Sequence, residues 1–289
     1  MSAAAKLAGK VAIVTASTEG IGFAIARRLG QDGAKVMISS RKQKNVDAAV
    51  QTLRKENLDV EGVVCHVGKN EDRKKLLEET SAKFGGVDIL VSNAAASTFF
   101  GPTLNTPEEA YDKMFDTNVK SSFMLCKEVV PEMVKRGSGS LLIVASIAAF
   151  NPFNMIGVYS LTKTALLGMV KVLAPELAQQ NIRINGLAPG LIETKFSNAL
   201  TSNEAAKDFM LANIPMGSEI TLGNLDDISR LKINGENLNN LRYTDDTVLI
   251  AESGEHLKTS RCCSFREQKN GPVFECKENG MYGHLKETF

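Results

Sequence analysis

Short apolar runs rich in β-branched residues alternate with longer helical stretches through most of the chain, and this alternation is the strongest constraint on its fold. Lys10–Thr15 (KVAIVT), Lys35–Ser39 (KVMIS), Val60–His66, Val87–Ser92 (VDILVS), Ser140–Ala145 (SLLIVA) and Ile182–Leu187 each read as a buried strand. Between them, Gly22–Asp32, Asn45–Glu56, Asp72–Phe84, the stretch from Thr106 to about Lys135, and Gly157–Gln180 read as helices. Thr106-Pro107-Glu108-Glu109 supplies an N-cap threonine, a proline at the first helical position and acids in the first turn. Strands that alternate with helices imply an α/β fold. The expected form is a Rossmann-like, doubly wound parallel sheet with helices on both faces.

Hydrophobic residues make up 43% of the chain and charged residues 23%, which suffices for a large core. Lys+Arg total 34 against 33 Asp+Glu, a formal charge of +1. That balance argues against nucleic-acid or membrane-surface binding driven by bulk charge. No apolar run approaches the roughly 18 residues of a membrane span, so none is expected. Met1–Lys10 carries no apolar signal core and no Arg-rich transit pattern. Five cysteines, with Cys262 and Cys263 adjacent, argue against a secreted disulfide framework.

A seam lies near Met216. Alanine is frequent before it, whereas from Gly217 to Phe289 only Ala251 occurs. The reading is a domain over 1–216 and an atypical tail over 217–289. The tail has one clear strand candidate, Asp246–Ala251, and a distal part expected to be weakly ordered.

Thr15-Ala16-Ser17-Thr18-Glu19-Gly20-Ile21-Gly22 joins the first strand to the first helix. A glycine-rich βα turn lets backbone approach a pyrophosphate, and the helix N-terminus adds N–H groups and positive dipole. The alternative reading of two glycines alone is a tight turn without a ligand. The second strand ends at Ser39-Ser40-Arg41-Lys42, where NAD sites place an acid on the ribose 2′-hydroxyl. Hydroxyls and cations here favour a 2′-phosphate, hence NADP(H); the alternative is a pair of solvated loop cations. Glu19 is a counter-signal, being an acid near the same phosphates.

Ser146 ends the fifth strand, where open α/β sheets place their sites. Tyr159 and Lys163 are four apart on the following helix and share a face. A free tyrosine has a pKa of about 10 and needs nearby positive charge to work as an acid–base group near neutrality. Lys163 is placed to supply it. The set suits carbonyl/alcohol interconversion: Tyr159 protonates the oxygen, Ser146 hydrogen-bonds it, and a nicotinamide delivers hydride. An isolated Y-x-x-x-K is more often just an exposed helix pair.

These residues are not isolated. The TASTEGIG turn, Asp88, Ser92-Asn93-Ala94-Ala95, Asn118, Ser146, Tyr159-Ser160-Leu161-Thr162-Lys163 and Leu187-Ala188-Pro189-Gly190 with Thr194 resemble, in order and spacing, the short-chain dehydrogenase/reductase family. Finer wording such as SSRKQKNVD and NIRINGLAPGLIETKFS resembles its NADPH-dependent carbonyl and retinal reductases. The likeness covers about residues 7–216. It implies a catalytic tetrad of Asn118, Ser146, Tyr159 and Lys163, with Asn118 binding a water that links Lys163 to solvent. It implies that Thr15, Ser17, Gly20, Ile21 and Gly22 line the pyrophosphate. Ser40 and Arg41 would take the 2′-phosphate, and Asn93 the adenosine ribose. Tyr159 and Lys163 would also hold the cofactor, with Lys163 on the nicotinamide ribose. Pro189, Gly190, Ile192 and Thr194 would contact the nicotinamide half. Two positions depart from the general pattern: Ala16 stands at the usual first glycine, and His66 at a common adenine-side Asp. His66 reads equally as a cofactor neighbour or a neutral strand-end residue. No metal is expected.

Phe99, Phe100, Phe150, Phe153, Met155 and Phe196 fall in loops after the strands. They read either as ordinary core or as an apolar pocket for an aromatic or long-chain carbonyl, the small-molecule partner implied. Family members continue past residue 216 with a helix and a last parallel strand that commonly build a subunit interface, and neither is found in this sequence. A homo-oligomer, usual in the family, is therefore doubtful here. Leu231–Glu255 instead resembles the palm of retrotransposon reverse transcriptases, with Tyr243-Thr244-Asp245-Asp246 at the polymerase box. Polymerase chemistry needs a further palm carboxylate and a nucleic-acid cleft, so no nucleic-acid partner is expected. The altered end leaves a second reading, an impaired chain acting only by pairing with intact reductase subunits. The expected compartment is cytoplasmic. The family's peroxisomal tripeptide is not matched by Glu287-Thr288-Phe289.

Overall fold

The computed structural model describes residues 5–190 and 192–197, and beyond them only the backbone of short strands up to residue 275. The strands and helices expected from the sequence form in order. They are β1 (Val11–Val14), α1 (Gly20–Gln31), β2 (Lys35–Ser40), α2 (Gln43–Lys55), β3 (Val60–Val64), α3 (Asn70–Phe84) and β4 (Ile89–Ser92). Then follow α4 (Glu108–Phe115), α5 (Ser121–Lys135), β5 (Gly139–Val144), α6 (Gly157–Ala178) and β6 (Ile182–Ala188). Strands β1 to β6 pair in parallel; Ala12, for example, lies between Val36 and Ile89. The spatial order is β6-β5-β4-β1-β2-β3. The chain winds outward from β1 to β3, then returns to the other side of β1 with β4. A crevice opens above the carboxyl ends of β1 and β4, where ligands bind in such sheets.

Alternating side chains of each strand feed two cores, one on each face. Ile13, Met37, Leu90, Leu141 and Ile143 pack with Leu125 and Leu166 on one face. Ala12, Val14, Val36, Ile38, Val91 and Val144 pack with Ala26 and Leu53 on the other. The strands read as continuous apolar runs because both faces are covered.

The stretch expected as one helix from Thr106 is divided. Helix α4 begins at Glu108, after Pro107 in extended conformation. Thr106 does not cap it: its hydroxyl donates to the Thr103 carbonyl at 2.8 Å and closes a 3-10 turn. A π-turn, Asp116–Lys120, then separates α4 from α5. Helix α6 is the most apolar of the described helices. With the turn before it, Asn154–Ala178 has the length and apolarity of a candidate span, the one such helix among the described residues. It packs on β6 and carries buried Tyr159 and Lys163, as a core helix does.

Short strands β7 (Ile192–Glu193) and β8 (Ile220–Thr221) pair with each other, as do β9 (Lys232–Ile233) and β10 (Glu236–Asn237). The tail strand candidate forms as β11 (Val248–Ala251) and adds antiparallel to β6, with Val248 opposite Ala188 and Ala251 opposite Asn185. It occupies the sheet edge that would otherwise be left bare, as β6 would be without it. The hairpin β12 (Ser264–Gln268) and β13 (Gly271–Glu275) follows. Tyr243-Thr244-Asp245-Asp246 lies outside the described residues.

Candidate active site

The turn after β1 is built from backbone that approaches itself closely. Ala16 sits in the left-handed region at φ 50°, which explains why glycine is usual at this position. An alanine there carries strain of about 1–2 kcal/mol. Gly20 is also left-handed, at φ 60°. At Gly22 a Cβ would lie 2.5 Å from Asn93 Nδ2 and 2.7 Å from the Ala16 carbonyl, so only glycine fits. Asn93, just past β4, staples the turn by donating its amide to the carbonyls of Thr15 at 3.0 Å and Ala16 at 3.1 Å.

Thr15 and Ser17, expected to line the pyrophosphate, face the protein instead. Both are fully buried. The Thr15 hydroxyl accepts from the backbone N–H groups of Asn93 and Ala94, and the Ser17 hydroxyl donates to the Val14 carbonyl while accepting from Ser39 N–H. They shape the turn, while Gly20, Ile21 and Gly22 line the cavity.

Ser146 follows β5 and caps a 3-10 turn, its hydroxyl oxygen accepting from Ala148 N–H at 3.1 Å. That leaves the hydroxyl proton free for a further partner. Burial pushes the Tyr159 phenol up to about 12, against the opposing effect of the Ser146 hydroxyl. Lys163, 2% exposed, is driven down to about 7 by burial alone. Its ammonium donates to the Val144 carbonyl at 2.8 Å and lies 5.5 Å from the Tyr159 ring centroid. The Lys163 ammonium is thus directed at the Val144 carbonyl, with the Tyr159 ring beside it.

Asn118 lies in the π-turn and is fully buried. Its side-chain oxygen accepts from Ala96 N–H at 2.7 Å, and its amide donates to the Ala96 carbonyl and the Thr162 hydroxyl, each at 2.9 Å. Both amide protons are engaged, so Asn118 acts here as a bridge between the loop after β4 and helix α6.

Tyr159, Ser146 and Lys163 share one cavity of about 760 Å³ with Gly20, Ile21, Gly22, Ser40, Arg41, His66 and Asn93. Pro189, Gly190, Ile192 and Thr194 line it too. The His66 ring nitrogen Nδ1 accepts from Gly68 N–H at 3.2 Å, which places a neutral ring's proton on Nε2. Of the expected aromatic pocket, Phe153 and Phe196 line the cavity, with Ile147 and Ile156. Phe99 packs beside Met114 and Tyr159 in a small core, while Phe100, Phe150 and Met155 are exposed. The glycine cradle, the Ser40 hydroxyl and Arg41 at the end of β2 and a cleft of this size fit a dinucleotide.

Lys113, Thr117 and Lys195 are among the lining residues that sequence reasoning passed over. Thr117 precedes Asn118 directly and was within reach of it. Lys195 carried no signal, because only the fold brings it to Glu19, where its ammonium meets the carboxylate at 2.7 Å. The counter-signal at Glu19 is thereby met by a cation beside the acid.

The short chain dehydrogenase profile matches residues 10–205. "Dehydrogenase/reductase SDR family member 4" of Bos taurus is 59% identical over 206 residues, 71% of this chain and 74% of the relative. The human protein of that name is 58% identical over 204 residues, 71% and 73% of the two chains. Among solved structures, an actinorhodin polyketide ketoreductase with NADPH aligns with a TM-score of 0.69 and 29% identity, covering 73% of this chain and 85% of its own. A Beutenbergia cavernae protein described as an NAD(P)-dependent gluconate 5-dehydrogenase, with bound NADP, gives 0.70 and 28%, covering 75% and 86%. The chain belongs to the short-chain dehydrogenase/reductase family and is an oxidoreductase.

Proposed function

We propose that the chain reduces ketones and aldehydes to alcohols with NADPH. The observation that carries this reading is one cavity holding Tyr159, Ser146 and Lys163 at one end and the Gly20–Gly22 cradle with Ser40 and Arg41 at the other. Bound NADPH supplies the hydride. Tyr159, protonated well past neutrality, gives its hydroxyl proton to the carbonyl oxygen. Ser146 donates to the same oxygen, its own oxygen being fixed by Ala148 N–H. Lys163 holds the nicotinamide ribose, and Asn118 keeps the loop after β4 in register with α6. Arg41 receives the 2′-phosphate and selects NADPH over NADH.

Phe153, Phe196, Ile147 and Ile156 favour an apolar carbonyl compound, aromatic or long-chain; retinal falls within this class. We read residues 1–216 as the reductase domain and 217–289 as an addition to it. The support is the end of the family match at residue 205 and the loss of alanine beyond 216. The likeness of residues 231–255 to a reverse-transcriptase palm rests on the sequence alone.

The test is direct hydride transfer. Incubation with NADPH carrying deuterium at both C4 positions of the nicotinamide and an aryl ketone should give an alcohol with deuterium on the carbinol carbon. An unlabelled alcohol, or none, would contradict the assignment.

A further inference from the structure

The ion pair between Glu19 and Lys195 joins two segments far apart in the chain across the rim of the cavity. Glu19 precedes α1 in the glycine-rich turn, and Lys195 lies in the strap that follows β7. Both are solvent-accessible, 50% and 79% exposed at the side chain. The strap is held in shape independently of this pair. Ser197, 6% exposed, donates its hydroxyl to the carbonyls of Ile192 at 2.7 Å and Thr194 at 3.0 Å, and accepts from Thr194 N–H at 2.9 Å. The strap also touches the turn beside the pair: a Cβ on Gly20 would lie 3.3 Å from the Thr194 methyl. Lys195 is thus presented at the point where the turn and the strap meet.

Glu19 is the single acid among the described residues lining the cavity, and it stands in the turn that a dinucleotide pyrophosphate must approach. Left unpaired, it would repel that anion. We propose that Lys195 is a pyrophosphate-binding residue held in reserve. Its ammonium is paired with Glu19, and with a dinucleotide bound it would serve the pyrophosphate while continuing to mask the acid. Lys195 therefore acts on the part of the cofactor common to NADPH and NADH, whereas Arg41 acts on the 2′-phosphate alone. The inference rests on the cofactor reading above.

The experiment measures Kd for NADPH and NADH separately, from the fluorescence of the reduced nicotinamide, with the full chain and no substrate. Lys195→Met should weaken both cofactors by about two- to fivefold, the scale of a screened surface ion pair. Glu19→Gln should tighten both by a similar factor, and Lys195→Arg should restore wild-type binding. Raising the salt concentration should shrink each difference. Unchanged Kd values in Lys195→Met, or weaker binding in Glu19→Gln, would overturn the role of Lys195 and leave the reductase reading standing. A wild-type chain that binds neither cofactor would overturn both.

Discussion

The Lys163 ammonium donates to the Val144 carbonyl at 2.8 Å, tying helix α6 to the last residue of β5, two positions before Ser146. Burial holds the Lys163 pKa near 7, below its ordinary 10.5. Between those values the unfolded chain keeps a proton that the folded chain has released, so this residue's effect on stability becomes more favourable as pH rises from 7 to 10.5. Below pH 7 both states carry the proton and the cost is constant. Lys163→Met removes the titration. Relative to wild type, the cofactor-free variant should gain stability most at pH 6, on the order of a few kcal/mol, and lose that advantage towards pH 10. Denaturant melts at both pH values check this; a pH-independent difference would contradict it.

Ala16 holds a left-handed backbone at φ 50° without being glycine. Ala16→Gly relieves the steric strain and gives back some unfolded-state entropy, for a net stabilisation of up to about 1 kcal/mol. Cofactor affinity should be unchanged. A lower Tm in the variant would show that the alanine methyl makes contacts that outweigh the strain.

The Asn118 bridge predicts a graded response. Asn118→Ala leaves the Ala96 N–H and carbonyl and the Thr162 hydroxyl without this partner, at about 1–3 kcal/mol for each group left buried and unpaired. Stability should fall by at least about 2 kcal/mol and kcat should fall with it. Thr162→Val, which removes one of the three bonds, should cost less on both measures. Equal losses in the two variants would mean that the contacts to Ala96 do not matter.

Arg41 lines the cavity beside Ser40, at the end of β2. Arg41→Asp removes a cation and places a carboxylate near the 2′-phosphate, so preference should move from NADPH towards NADH by at least about tenfold in kcat/KM, or about 1.4 kcal/mol. An unchanged ratio of the two cofactors would refute the role.

Much of this was legible in the sequence because its cause is local. Strands covered on both faces read as β-branched runs, and Tyr159 and Lys163 are four apart, so one helical turn puts them on one face. The turn after β1 declared its glycines, and Gly22 proved to have no room for a Cβ. The directions of Thr15 and Ser17 were not legible, because a turn has no period from which to read them. The π-turn was hidden as well: Asp116–Lys120 looks like ordinary helix until the bonds from Asn118 to Ala96 and Thr162, distant in the chain, are in place. Thr106 matched the capping pattern, yet its hydroxyl found the Thr103 carbonyl first. The antiparallel seat of Val248–Ala251 beside β6 depends on an exposed edge that only the folded sheet presents.

The central claim is that Tyr159 is the proton donor in carbonyl reduction. It is tested most directly by NADPH oxidation with an aryl ketone in wild type and Tyr159→Phe, with NADPH affinity measured alongside. Phenylalanine keeps the ring against Phe196 and removes only the hydroxyl. The account predicts near-normal NADPH binding and a kcat lowered by at least about 10²-fold, the lower range for a positioned acid–base group. Equal turnover in the two proteins would contradict it.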